Sequence, residues 1–132
     1  MKNYNCILVY NETKDKLLFC KRVKPPYAGL LNLVGGKIEE GECSLEAAYR
    51  ELYEETGIQK EDIELVQLMD MIYYKKDMKL EIFYGVLKRQ VSLIEEFQQL
   101  IWVDAREDFF DSERYAGDGN IGHIVKQVKH EC

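Results

Sequence analysis

Ser44-Leu45-Glu46-Ala47-Ala48-Tyr49-Arg50-Glu51-Leu52-Tyr53-Glu54-Glu55-Thr56-Gly57 is the most strongly helical stretch of the chain and organises the reading of what surrounds it. Ser44 is placed to cap the helix, and Glu46 puts negative charge in the first turn, where backbone N–H groups lack partners. Gly57 suits the left-handed position that ends a helix. At 3.6 residues per turn, Glu51, Glu54 and Glu55 share one arc of about 100°. Leu45, Ala48, Tyr49, Leu52 and Thr56 form the more apolar side. Like charges one turn apart repel by about a few tenths of a kcal/mol per pair. Three carboxylates together also favour protonation. A hard divalent cation reverses both effects, because it seeks oxygen ligands. A solvated acidic face is the plain alternative on a helix of an acidic protein.

Outward from this helix, both flanks read as strands. On the N-terminal side, Tyr4 to Tyr10 is aromatic and β-branched, Asn11 to Asp15 is a polar turn, and Lys16 to Arg22 returns. Lys24 to Gly29 holds both prolines and is a loop. Leu30 to Val34 is a short strand closed by Gly35-Gly36. On the C-terminal side, Ile63 to Tyr74 and Lys79 to Lys88 flank a hairpin connection at Lys75 to Met78, and Gln99 to Val103 is a further strand. Asp104 is expected to cap a short helix carrying Ala105, Phe109 and Phe110. Asp111 to Asn120 reads as a loop. Ile121, Ile124, Val125 and Val128 then recur at helical spacing. With no repeat and no linker, residues 1–132 are expected to form one α/β domain.

Composition agrees. The chain has 132 residues, 46% of them hydrophobic and only two of them proline, which excludes a disordered or collagen-like chain. Eighteen Lys and Arg against twenty-four Asp and Glu leave a formal net charge of −6. Duplex nucleic acid is therefore a poor partner, whereas free nucleotides remain possible because a cation can neutralise their phosphates. No run of about eighteen apolar residues suggests a membrane span. The apolar run Cys6 to Tyr10 lacks the cleavage site of a secretory leader and reads as a strand. Cys6, Cys20, Cys43 and Cys132 match no zinc spacing, even with His123 or His130, so a cytoplasmic protein with reduced thiols is expected.

Gly36, five residues, Glu42, seven residues, and then Arg50-Glu51-Leu52-Tyr53-Glu54-Glu55-Thr56-Gly57-Ile58 resembles the complete signature of the MutT/Nudix hydrolase family, without a gap. The resemblance covers 23 of 132 residues. It implies an α/β/α sandwich around a mixed, curved sheet, with the signature forming a loop–helix–loop. It implies that Glu51, Glu54 and Glu55 ligate Mg²⁺, with Mn²⁺ as an alternative, and that Glu51 or a neighbour activates water. It further implies that the Gly35 carbonyl is an additional metal ligand and that Glu42 and Arg50 brace the carboxylates. Leu52 and Ile58 would anchor the segment to the core. A later carboxylate, Glu96 or failing it Glu95, would complete the metal site.

Family members share a nucleoside diphosphate linked to another group and differ in that group. Leu30 to Gly36 is similar to the segment preceding the signature in oxidised-purine triphosphatases, where the Asn at the position of Asn32 contacts the base. Leu31 stands where an aromatic residue is frequent there, and Val34 where proline is frequent. Asn120, with Asp118 as the alternative, resembles a purine contact at the start of the last helix. An Asn tied to backbone is the plain reading of Asn32, and a helix cap that of Asn120. Tyr73, Tyr74 and Tyr84 lie in strands suited to a cleft wall, while Arg22, Lys24 and Lys37 are candidate phosphate contacts. The leading expectation is a pyrophosphohydrolase converting an oxidised purine triphosphate such as 8-oxo-dGTP to the monophosphate. The alternatives are hydrolysis of ADP-ribose, a nucleotide sugar or a dinucleoside polyphosphate, and a non-catalytic nucleotide-binding regulator. Either a monomer or a homodimer is compatible with the sequence.

Overall fold

Alternation along two strands decides the architecture. The computed structural model describes residues 1–25, 27–95 and 98–131. Strands β1 (Lys2–Tyr10) and β2 (Lys16–Lys21) each send successive side chains to opposite faces. Ile7, Val9, Leu18 and Cys20 pack with Ala48 and Leu52 of helix α1 (Ser44–Thr56). Leu8, Tyr10, Leu17 and Phe19 pack with Ile121, Ile124, Val125 and Val128 of helix α2 (Asn120–Glu131). The sheet therefore lies between two helices, as an α/β/α sandwich. Burying both faces of the central strands is what makes them read as continuous apolar runs.

The remaining strands are β3 (Leu31–Asn32), β4 (Val66–Tyr73), β5 (Met78–Val86) and β6 (Leu100–Asp104), ordered β3-β2-β1-β5-β4 with β6 on β2. The β1–β5 pair is parallel and the other pairs are antiparallel, giving a mixed sheet. β1 and β2 share one register pair, Tyr10 with Leu17. Beyond it the chain around residues 31–37 enters between them. Leu31 and Asn32 pair with β2, while Val34 and Lys37 bridge to Ile7 and Tyr4 of β1. Gly35-Gly36 is held in this wedge, facing the sheet side that carries α1.

The structure corrects several local expectations. The strand expected over 30–34 is confined to Leu31–Asn32, because residues 33–37 change partner from β2 to β1. The strand expected from Ile63 begins at Val66, since Ile63 makes only a bridge to Leu87. Cys43, not Ser44, is the cap residue of α1 and gives no side-chain bond, because the backbone leaves its extended conformation one residue earlier. Residues 105–110 form no helix. The Asp104 carboxylate accepts the Arg106 N–H at 2.8 Å and pairs with the Arg106 guanidinium, closing a turn. Leu45, expected on the apolar side of α1, is 41% exposed, whereas Ala47 is buried on the acidic side because that side faces the wedge. Gly57 does end α1, at φ 79°.

Candidate functional site

Two regions meet at Gly35-Gly36. The first is the acidic face of α1. Arg50 binds Glu42 through two hydrogen bonds, Nε to Oε2 at 2.6 Å and Nη2 to Oε1 at 2.9 Å. Its Nη1 reaches Glu51 at 3.0 Å and Glu54 at 3.2 Å, and Nη2 also reaches the Lys37 carbonyl at 3.0 Å. One planar guanidinium thus gathers three carboxylates, a use of its fixed fork that a lysine cannot reproduce. Arg50 holds the Glu42 carboxyl down to about 2, and Glu42 in turn raises the Arg50 guanidinium. Glu42 also accepts the Glu39 N–H at 3.0 Å, which fixes the loop entering the helix.

The three helix carboxylates are not equivalent. Glu54 is 54% exposed, whereas the Glu51 side chain is 13% exposed. Burial raises Glu51 despite the counter-pull of Arg50. Burial is also the main cause that pushes Glu55 up to about 7, although Gly35 and Gln98 donate to it. The Gln98 amide lies at 2.8 Å from Glu55 Oε2 and the Gly35 N–H at 3.4 Å. Nothing local in the sequence links Gln98 to Glu55, 43 residues away.

The glycine pair explains how the carboxylates come so near the backbone. A Cβ on Gly36 would collide with the Glu51 carboxylate, and one on Gly35 with the backbone carbonyl of Asn5. Gly35 also has φ +148°, which side-chain-bearing residues rarely adopt. Among the described residues, no three His, Cys, Asp or Glu side chains are gathered as a finished metal cage. Arg50 and Gln98 hold the carboxylate oxygens instead. The donor set nevertheless fits a hard divalent cation: half-buried carboxylates whose burial opposes their ionisation, beside a backbone turn stripped of side chains.

The second region is a cavity of about 530 Å³, a volume suited to a small-molecule ligand. Gly35 and Gly36 form one part of its wall, and Asn5, Arg22, Tyr27, Asn32, Tyr73, Lys76, Asp118 and Asn120 contribute the polar groups named below. Asn120 Nδ2 donates to Tyr73 Oη at 2.8 Å, so this side chain spans to β4. Tyr27 Oη donates to Asp118 Oδ2 at 2.9 Å. Asn32 Oδ1 accepts the Leu33 N–H at 2.9 Å, which is the plain structural reading of that residue. Arg22 lines the cavity.

Other expectations do not fit this placement. Lys37 is exposed, is not in the cavity wall, and contributes its backbone carbonyl to Arg50. Lys76 lies in the wall instead, brought there by the β4–β5 connection. Tyr74 is 81% exposed, and Tyr84 lines a separate cavity with Tyr10 and Val86. Glu96 lies outside the described residues. Its alternative, Glu95, accepts the Leu100 N–H at 3.1 Å. Asn5, Tyr27 and Lys76 carried no local signal, since only tertiary pairing brings them to the cavity.

Comparison with solved structures returns the same architecture. The chain is similar to a MutT structure from work on Aliivibrio salmonicida and Vibrio cholerae, at 22% identity and TM-score 0.72, covering 99% of this chain and 98% of that one. It is similar to the Caenorhabditis elegans Ap4A hydrolase in a binary complex, at 16% identity and TM-score 0.76, covering 98% and 96%. The NUDIX domain of Shewanella oneidensis NrtR, complexed with ADP ribose, matches at 16% identity and TM-score 0.74, covering 98% and 86%. No curated protein matches the chain by sequence. At these identities the structures establish the fold alone. Residues 2–115, however, match the family model of the NUDIX domain, and they include the whole Gly36-to-Ile58 signature; the chain belongs to the Nudix family.

Proposed function

We propose that this chain is a divalent-cation-dependent hydrolase that cleaves a phosphoanhydride bond in a nucleoside diphosphate derivative. The observation that carries this reading is the pair of half-buried carboxylates Glu51, braced by Arg50, and Glu55, held by Gly35, both set against the Gly35-Gly36 turn at the wall of the cavity. Glu51, Glu54, Glu55 and the Gly35 carbonyl would hold Mg²⁺, or Mn²⁺ in its place. When bound, the cation neutralises the diphosphate and lowers the pKa of water. Arg50 keeps Glu51 and Glu54 aligned, and Glu42 keeps Arg50 aligned. Glu51 or a neighbour such as Glu55 takes the water proton, as a carboxylate left free of tight ligation can. Arg22 and Lys76 place positive charge at the cavity for the substrate phosphates.

Among substrates, ADP-ribose and dinucleoside polyphosphates rank ahead of 8-oxo-dGTP. Two of the three structural relatives named above are an Ap4A hydrolase and a domain complexed with ADP ribose. The Asn32 acceptor, a clue to an oxidised purine, already accepts the backbone N–H of Leu33. The 8-oxo-dGTP reading keeps one favourable observation, the presence of Asn120 and Asp118 in the cavity wall.

Comparing kcat/KM for ADP-ribose, diadenosine polyphosphates, nucleotide sugars, 8-oxo-dGTP and dGTP in Mg²⁺ tests the assignment. The expected result is turnover that EDTA abolishes, with ADP-ribose or a dinucleoside polyphosphate leading. A marked preference for 8-oxo-dGTP over dGTP would restore the oxidised-purine reading. No turnover of any member would leave a nucleotide-binding regulator.

A further inference from the structure

Tyr73 closes β4 on the face of the sheet that carries α2. It pairs in register with Met78, and Met71, two residues earlier on the same face, packs into the core beneath α2. Tyr73 and Asn120 are both half-buried, and both line the large cavity. Asn120 Nδ2 donates to Tyr73 Oη at 2.8 Å, and that bond settles what two further atoms can do. A phenol oxygen that accepts still has its own O–H to donate, and an amide whose nitrogen is engaged still has its carbonyl to accept. Among the described residues, the Tyr73 O–H has no acceptor and Asn120 Oδ1 has no donor. The buried side-chain atoms without a partner there are Asn5 Nδ2 and Tyr115 Oη, so Asn120 Oδ1 is open to the cavity. Burial and the Cys6 thiol raise the Tyr73 phenol despite the bond from Asn120, so the hydroxyl keeps its proton.

The surroundings of this pair differ from those of the glycine turn. Glu51 and Glu55 rise from α1, on the opposite face of the sheet. Met78, the register partner of Tyr73, and Ile121, next to Asn120, are apolar and line the cavity. The charged side chains nearest in the chain, Lys76 and Asp118, are exposed, and Asp118 is engaged by Tyr27. An apolar wall with one neutral donor and one neutral acceptor suits an uncharged ring that has polar atoms along an edge. Adenine sets its amino N–H beside a ring nitrogen on both of its polar edges, which matches Oδ1 beside the O–H. The N7–O6 edge of guanine holds two acceptors and would leave Oδ1 without a donor.

We propose that Tyr73 is a specificity-determining residue that reads the adenine of the substrate: its O–H donates to a ring nitrogen, and its oxygen holds the Asn120 amide so that Oδ1 accepts from the amino group. This rests on the reading of the cavity as a site for ADP-ribose or a dinucleoside polyphosphate. No bond is made or broken, since both groups serve only in recognition.

The test measures dissociation constants by calorimetry for wild type and Tyr73→Phe. The ligands are adenosine, 1-deazaadenosine, 7-deazaadenosine, 8-oxoguanosine and purine riboside, which lacks the amino group. Pyrophosphate in Mg²⁺ is titrated alongside, as a ligand without a base. Wild type should bind purine riboside and one of the two deaza nucleosides roughly two- to tenfold more weakly than adenosine, the weight of one neutral hydrogen bond. In Tyr73→Phe, adenosine should weaken by a similar factor, and that deaza nucleoside should bind as adenosine does, because the donor to its missing nitrogen is gone. Pyrophosphate should bind both proteins alike. A deaza penalty that persists in Tyr73→Phe, or is absent from wild type, means that the hydroxyl meets no ring nitrogen and overturns the assignment. An equal loss of pyrophosphate affinity also overturns it, since Tyr73 would then prop the whole cavity. A wild type without affinity for adenosine overturns it too, and binding of 8-oxoguanosine in its place would return the substrate ranking to the oxidised purine. A wild type that binds adenosine through Tyr73 yet hydrolyses no nucleotide would overturn the enzymatic reading and leave Tyr73 standing.

Discussion

The acidic face of α1 and the cavity beside it are built in opposite ways. Glu42, Arg50, Glu51, Glu54 and Glu55 lie within fourteen consecutive residues, and their mutual bonds span at most eight. The cavity pairs Tyr27 with Asp118 across 91 residues and Tyr73 with Asn120 across 47. A helix sets the first group by its own geometry, whatever the rest of the chain does. The second group exists only once the sheet and α2 have docked. The chemistry is therefore carried locally and the choice of substrate non-locally, and the two should respond differently to substitution.

The largest expected effects fall on the helix. Glu55→Gln should keep the size of the side chain and the bond from Gly35, while removing the charge that would hold a cation. We expect kcat to fall by roughly 10²- to 10⁴-fold, the range of a lost acid–base or charge-stabilising group. KM should change by less than about tenfold, because the cavity contacts are intact. Steady-state kinetics on the best substrate of the panel measures both. An equal rise in KM with unchanged kcat would mean that Glu55 serves binding alone, and the division between the two regions would fail.

A medium effect is expected from pH, with opposite signs inside the same acidic cluster. The Glu55 carboxyl rises in the fold from its ordinary value to about 7. The folded state then holds more protons than the unfolded chain between the ordinary carboxylate range and about pH 7. Without divalent cation, this group makes the protein less stable as pH rises through that window. Glu42 is held down to about 2 by Arg50, so its contribution is present above the ordinary carboxylate range and is lost as pH falls towards 2. Urea unfolding in EDTA across this range should show both slopes. Mg²⁺ should reverse the Glu55 slope, because a cation that binds the ionised form stabilises the fold more as pH rises. An identical pH profile with and without Mg²⁺ would remove Glu55 from the cation site.

The same division explains what could be read without coordinates. The extent of α1 and its end at Gly57 follow from local patterning, as does the bunching of its acids, and the structure places them so. So do the central strands, whose apolar runs reflect burial on both faces. The wedge of residues 31–37 was not legible, because a segment that changes partner between two strands has no period of its own. The missing helix after Asp104 was a contest between a cap and an Asp104–Arg106 turn, and propensity does not decide it. Asn5 carries no local signal beyond that of a polar residue near the start of a strand. Its bond to the Gly36 N–H emerges only when Gly36 is found opposite it. Lys37 adjoins the glycines in sequence and stays outside the cavity wall, whereas Lys76 reaches it because β4 and β5 turn back there.

The smallest effect is expected where the cavity is held at its rim. Tyr27 and Asp118 are both non-glycine residues at positive φ, 69° and 53°, joined by one hydrogen bond. Two costly backbone conformations facing each other suggest that the bond secures both loops. The backbone links from Leu31 to Arg114 and from Ala116 to Leu31, 2.9 and 2.8 Å, tie the same loops independently. Tyr27→Phe should therefore leave the loops in place and cost about 0.5–1 kcal/mol, a two- to fivefold rise in KM. The effect should vanish in an Asp118→Ala background, where the hydroxyl has lost its acceptor. If Tyr27→Phe still raises KM there, the hydroxyl touches substrate itself, and the rim belongs to the recognition surface rather than to its scaffolding.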